Sequence, residues 1–157
     1  METQHEKPKL SCFDVANYFL ALADEDAGDL VSNLKLQKLV YYAQGYHLAI
    51  FGRPLYPEKI EAWAHGPVIP KLYHTFKGHE NKPIPPPVDL NLSKFDKEAI
   101  EFLDEVYNIL GQYSAWKLRN MTHDDPPWQD AVDCHGEISH NAMKEYFKTQ
   151  LVNDAEN

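Results

Sequence analysis

Cysteine, basic charge and long apolar runs are all scarce in this 157-residue chain, and each scarcity narrows what it can be. Two cysteines, Cys12 and Cys134, cannot build a disulfide framework, which points to the reducing cytosol as its compartment. The polar start, Met1 to Lys9, lacks the apolar core of a secretion signal. The most apolar stretch, Leu39 to Phe51, is interrupted by Gln44, Gly45 and His47, so no membrane span is expected. Lys and Arg total 15 against 24 Asp and Glu, a net charge of −9. Residues 1–78 carry −1 and residues 79–157 carry −8. That sign repels phosphate backbones, so nucleic acid is not an expected partner. It suits plain solubility, and it would also speed encounter with a basic protein.

Catalytic signatures are missing too. There is no nucleophile elbow, no phosphate-cradling glycine loop and no paired metal-binding carboxylate motif. Eight histidines invite a metal reading, but neither Cys-x2-Cys nor His-Glu-x2-His occurs. Cys134-His135 with His140, and His74 with His79, have no recognised ligand spacing. Neither a metal nor a cofactor is expected. Thr122-His123-Asp124-Asp125 sets a hydroxyl, an imidazole and two carboxylates side by side. Sequence neighbours point in different directions and rarely form a relay, so this reads as a turn stiffened by Pro126-Pro127 with Trp128 packed beneath. A small enzyme is the remaining alternative.

What is present is a series of capped amphipathic segments. Ser11 with Asp14 opens a helix carrying Val15, Phe19 and Leu22 or Ala23, which should stop within Asp24–Asp29. Ser32 or Asn33 caps a longer one with the stripe Leu36, Leu39, Val40, Ala43, His47 and Ile50, ended by Gly52. Ile60–Ala64 alternates like a strand, and His65–Pro70 turns the chain into a short helix through Leu72, Tyr73 and Phe76. Residues 78–92, with Pro83, Pro85, Pro86 and Pro87, read as an extended loop, although Pro83-x-x-Pro86 also matches an SH3-type ligand. Ser93 with Asp96 opens a strongly amphipathic helix closed by Gly111. Ser114 starts another that ends before Thr122, and Ser139 caps the last. The expected fold is mainly α: a compact single-domain helical bundle with a small β element. Residues 11–152 form the domain, between polar segments 1–10 and 153–157.

Partner-contact candidates follow from residue type. Lys35 and Lys38 share a helix face beside Tyr41 and Tyr42, and tyrosine suits an interface. Tyr41 and Tyr42 point about 100° apart, so at most one can occupy the centre of a buried stripe, leaving the other for a partner. Trp63 with His65-Gly66-Pro67 reads as a packed turn. Asp104 and Glu105 are the acidic positions at which charge reversal should slow association.

Three blocks carry a resemblance beyond this. They are Leu34–Gly45 (LKLQKLVYYAQG), Ile60–Val68 (IEAWAHGPV) and Leu118–Trp128 (LRNMTHDDPPW). In order and spacing they resemble the Panacea domain, also called the SocA-like or GepA-type phage-associated domain, from Phe13 to about Phe147. The resemblance implies an antitoxin that neutralises a small toxic protein, encoded by a neighbouring gene, through direct binding. It implies one scaffold serving many unrelated toxins, with one branch acting instead as an adaptor to a ClpXP-type protease. It brings no catalytic residues. Lys35, Lys38, Tyr41, Tyr42, Trp63, His65, Thr122, His123 and Trp128 enter as motif positions. No further DNA-binding domain is expected before Phe13, so autorepression is not.

Overall fold

Local capping sets most helix starts in the computed structural model, which describes residues 7–23, 28–134 and 136–156, with side chains up to residue 151. Ser11 and Asp14 form a reciprocal capping box on α1 (Cys12–Leu22). Ser32 accepts the Lys35 N–H to start α2 (Asn33–Phe51), and Gly52, at φ +75°, closes it in the left-handed conformation. The region expected to stop the first helix lies largely outside the described residues, at 24–27. An antiparallel hairpin follows, β1 (Glu61–Trp63) with β2 (Gly66–Val68), in the register Glu61–Val68 and Trp63–Gly66. The turn expected over His65–Pro70 therefore includes a second strand. Then come α3 (Pro70–Phe76), α4 (Lys97–Leu110), α5 (Ala115–His123), the single turn α6 (Pro126–Gln129) and α7 (His140–Glu156).

Two expected boundaries move. Asp96, rather than Ser93, caps α4, accepting the Ala99 N–H at 2.8 Å, while Leu92–Lys94 forms a separate 3-10 turn. A competent cap three residues later, next to the apolar stripe, wins. Helix α5 also runs on through Thr122 and His123 to a stop at Asp124, because Pro126 ends it only four residues after Thr122. Residues 80–91 hold neither helix nor strand. They are pinned midway by Ile84, which is buried and donates its N–H to the Val31 carbonyl at 2.8 Å.

Helix α2 is the axis of the bundle. It is packed by α1, α3, α4, α5, α7 and β2, and 14 of its 19 residues are buried. A helix covered on all sides must satisfy its polar residues internally. Gln37 accepts the Ile69 N–H at 2.8 Å and donates to Asn33 at 2.9 Å. Gln44 accepts the Leu55 N–H at 2.6 Å and donates to the Tyr56 carbonyl at 2.8 Å. These two amides tie the loops after α2 back onto it, supplying partners that non-helical backbone would otherwise lack. The segment entering α7 joins the hairpin edge through Ala62 N–H to Gly136 O (3.0 Å) and Ile138 N–H to Ile60 O (2.8 Å). The result is a mainly helical single domain with one small sheet. No helix among the described residues is long and apolar enough to cross a membrane.

Candidate functional site

The three sequence blocks, far apart along the chain, meet in one place. Lys38 of α2 is fully buried and its Nζ donates to the Pro67 carbonyl of β2 at 3.0 Å. Burial, with the Arg119 charge nearby, pushes its ammonium down to about 7. The neighbouring Gly66 has φ +110°, and a Cβ there would stand 2.7 Å from Thr122 Oγ1 and 2.9 Å from Lys38 Cε. Only glycine lets α2 and α5 close on the hairpin. Thr122 Oγ1 donates to the Arg119 carbonyl at 2.7 Å. Trp128 Nε1 donates to the Trp63 carbonyl at 2.7 Å, joining α6 to β1. The His123 ring stacks on Trp128 with centroids 4.2 Å apart, and burial lowers its pKa.

A second polar knot adjoins the first. Asp125, 3% exposed, accepts the Tyr41 hydroxyl at 3.1 Å and the Tyr146 hydroxyl at 2.9 Å. Burial raises its carboxyl to about 6, although both phenols oppose that shift. Tyr146 belongs to α7, whose Phe147 packs against Gly45: a Cβ at that glycine would overlap the ring. Tyr41, Tyr42, Tyr46 and Tyr146 all surround the Phe147 ring at 4.8–5.8 Å between centroids. Further along α2, Lys35 donates from Nζ to the Gly111 carbonyl at 2.6 Å, where a cation meets the C-terminal end of α4. Burial lowers its pKa, partly offset by Asp29.

This arrangement corrects the surface reading of α2. Lys35, Lys38, Tyr41 and Tyr42 are all buried, so neither tyrosine is left over for solvent. The stripe argument assumed one buried face, whereas neighbours cover α2 all round. Thr122 is buried as well; Trp63, His123 and Trp128 are partly so, while His65 is exposed. Asp104 accepts the Tyr18 hydroxyl at 2.6 Å, so reversing its charge would break an internal contact. Glu105 is exposed.

Within Thr122–Asp125, the hydroxyl and the Asp125 carboxylate are engaged by internal partners, and the His123 ring by stacking, so the four-residue run forms no relay. Among the described residues, no three His, Cys, Asp or Glu side chains gather as a metal site requires. His135 lies outside them. An open cavity of about 620 Å³ does sit above the hairpin, walled by Trp63, His65, Tyr73 and Trp116. Trp63 meets Tyr73 edge-on at 5.0 Å, and the Arg119 guanidinium lies 4.4 Å over the Trp116 ring. Trp116, Arg119 and Tyr146 did not stand out in the sequence, because each gains its place from a residue on another turn or element. Gly45 inside a helical run was the one local signal of close approach.

Comparison with known proteins agrees with the position of these blocks. The family model described as antitoxin SocA-like, Panacea domain, matches residues 36–129. Antitoxin SocA of Caulobacter vibrioides (strain NA1000 / CB15N) is 31% identical over 140 residues, spanning 78% of this chain and 74% of that protein. No solved structure matches. Helix α7, which supplies Tyr146 and Phe147, lies beyond the segment that the family model covers.

Proposed function

Since this chain belongs to the SocA-like, Panacea-domain antitoxin family, we propose that it is an antitoxin that neutralises a cognate toxin protein by direct contact, without catalysis of its own. The observation that carries the reading is the 31% identity to Antitoxin SocA across 78% of the chain. The fold supports it in a physical way. The diagnostic blocks are spent on holding α2, the hairpin and α5–α6 together, which leaves the outer faces free for a partner. Neutralisation by a stable complex needs about 1,000 Å² or more of contact. The surplus of acid over base, 15 against 7 in residues 79–157, favours a basic partner and fast encounter. We place this in the cytosol, where Cys12, which is buried, and Cys134, which is exposed, stay reduced.

Co-expression with the product of each adjacent reading frame is the direct test. One of those products should arrest growth alone, be rescued by this chain, and co-purify with it in a defined ratio. Failure of rescue for every toxic neighbour would remove the antitoxin reading.

A further inference from the structure

On the side of the molecule bounded by α2, α4 and α7 lies a groove of about 210 Å³ whose walls are almost wholly carbon, formed by Tyr46, Ile50, Phe102, Val106, Ile109 and Leu151. Ile50 and Ile109 stand at its lips, 49% and 50% exposed. Lone exposed apolar residues are ordinary, but two β-branched ones flanking one apolar groove make a patch of the kind partners cover. The groove has an acidic border. On α4, Glu98, Glu101 and Glu105 recur at three- and four-residue spacing, so they share one exposed stripe leading to Ile109. Glu98 is held by Arg53 at 2.6 Å and Glu101 only loosely by Lys97 at 3.8 Å. Glu105, at the groove itself, makes no ion pair among the described residues.

We infer that this groove receives an amphipathic helix of the toxin, apolar on one face and cationic along the edge that meets Glu101 and Glu105. This rests on the antitoxin reading. The twelve residues from Glu98 to Ile109 span about 16 Å, which matches roughly three turns of a docked helix with anchors at i, i+3, i+4 and i+7. A second copy of this chain fits poorly, because a two-fold contact would set one glutamate stripe against the other. A cationic edge instead pairs with that stripe while the isoleucines bury their exposed halves.

The test measures binding of the full chain to the purified adjacent-gene product that it rescues, by biolayer interferometry at two salt concentrations. Ile109→Asp should weaken binding by about 30-fold or more. Glu105→Lys should slow association by about five-fold at low salt, less at high salt, and leave dissociation nearly unchanged. Val88→Asp is the control: Val88 is 97% exposed, lies outside the groove, and its change should have no effect. Wild-type affinity in a normally melting Ile109→Asp protein overturns the groove while leaving the antitoxin reading intact. Where Ile109→Asp does not fold, an unchanged association rate for Glu105→Lys overturns it. If the wild-type chain rescues no neighbour, both readings fall.

Discussion

Replacing Lys38 by Met removes a cation from the interior while keeping an unbranched chain of similar length, and it should change how stability depends on pH. The ammonium titrates near 7 in the folded protein but near 10.5 when exposed in the unfolded chain. Between those values the unfolded state holds a proton that the folded state has released. Stability therefore rises with pH across this window, and is lost as pH falls through about 7. From pH 7 to pH 9 the shift implies a gain of about 2 kcal/mol, or about 4–8 °C in melting temperature for a domain of this size. The buried Lys35 shifts in the same direction, so the variant retains part of the slope. Thermal melts of wild type and Lys38→Met at pH 7, 8 and 9 isolate the Lys38 share as the difference between the two curves. Parallel curves would refute the reasoning, since Lys38 would then be charged in both states or reached by water.

Three further outcomes follow from the same region. Gly66→Ala should cost about 2–4 kcal/mol in denaturant unfolding, from a left-handed φ together with overlap against Thr122 and Lys38; a loss below 1 kcal/mol would mean that α5 yields easily. Asp125 keeps its proton up to about 6 when folded but loses it near 3.8 when unfolded, so it makes stability fall as pH rises from about 4 to 6, by up to about 3 kcal/mol. Asp125→Asn should flatten that limb of the melting profile, and an unaltered limb would show the carboxyl to be ionised throughout. His123→Ala should lower stability by about 1–2 kcal/mol through lost stacking on Trp128 while leaving growth rescue unchanged. Lost function at an unchanged melting temperature would instead favour a catalytic histidine.

Helix starts were legible because a cap is a short-range event. Ser11, Ser32, Ser114 and Ser139 each accept an N–H three residues ahead, and nothing distant is needed to see it. The position of the three blocks was legible as resemblance. Their burial was not. Lys35 and Lys38 looked like an outward face of α2, and only Gly111 and Pro67, both outside that helix, turn them into interior residues. The two-strand hairpin was half visible for a similar reason: Gly66-Pro67 reads locally as a turn, and its strand character comes from pairing with β1. The apolar groove with its acidic border mixes both cases, since Glu105 stood out by charge whereas Ile109 gains meaning from Ile50 and Leu151 across the gap.

That Lys38, Gly66, Thr122, Asp125 and Trp128 face inward bears on how such chains can diverge. A frame keyed together from within tolerates rewriting of its skin, so two proteins bearing the same blocks need share no ligand. Libraries that randomise only exposed positions of α4 would accordingly leave every one of these interior contacts in place.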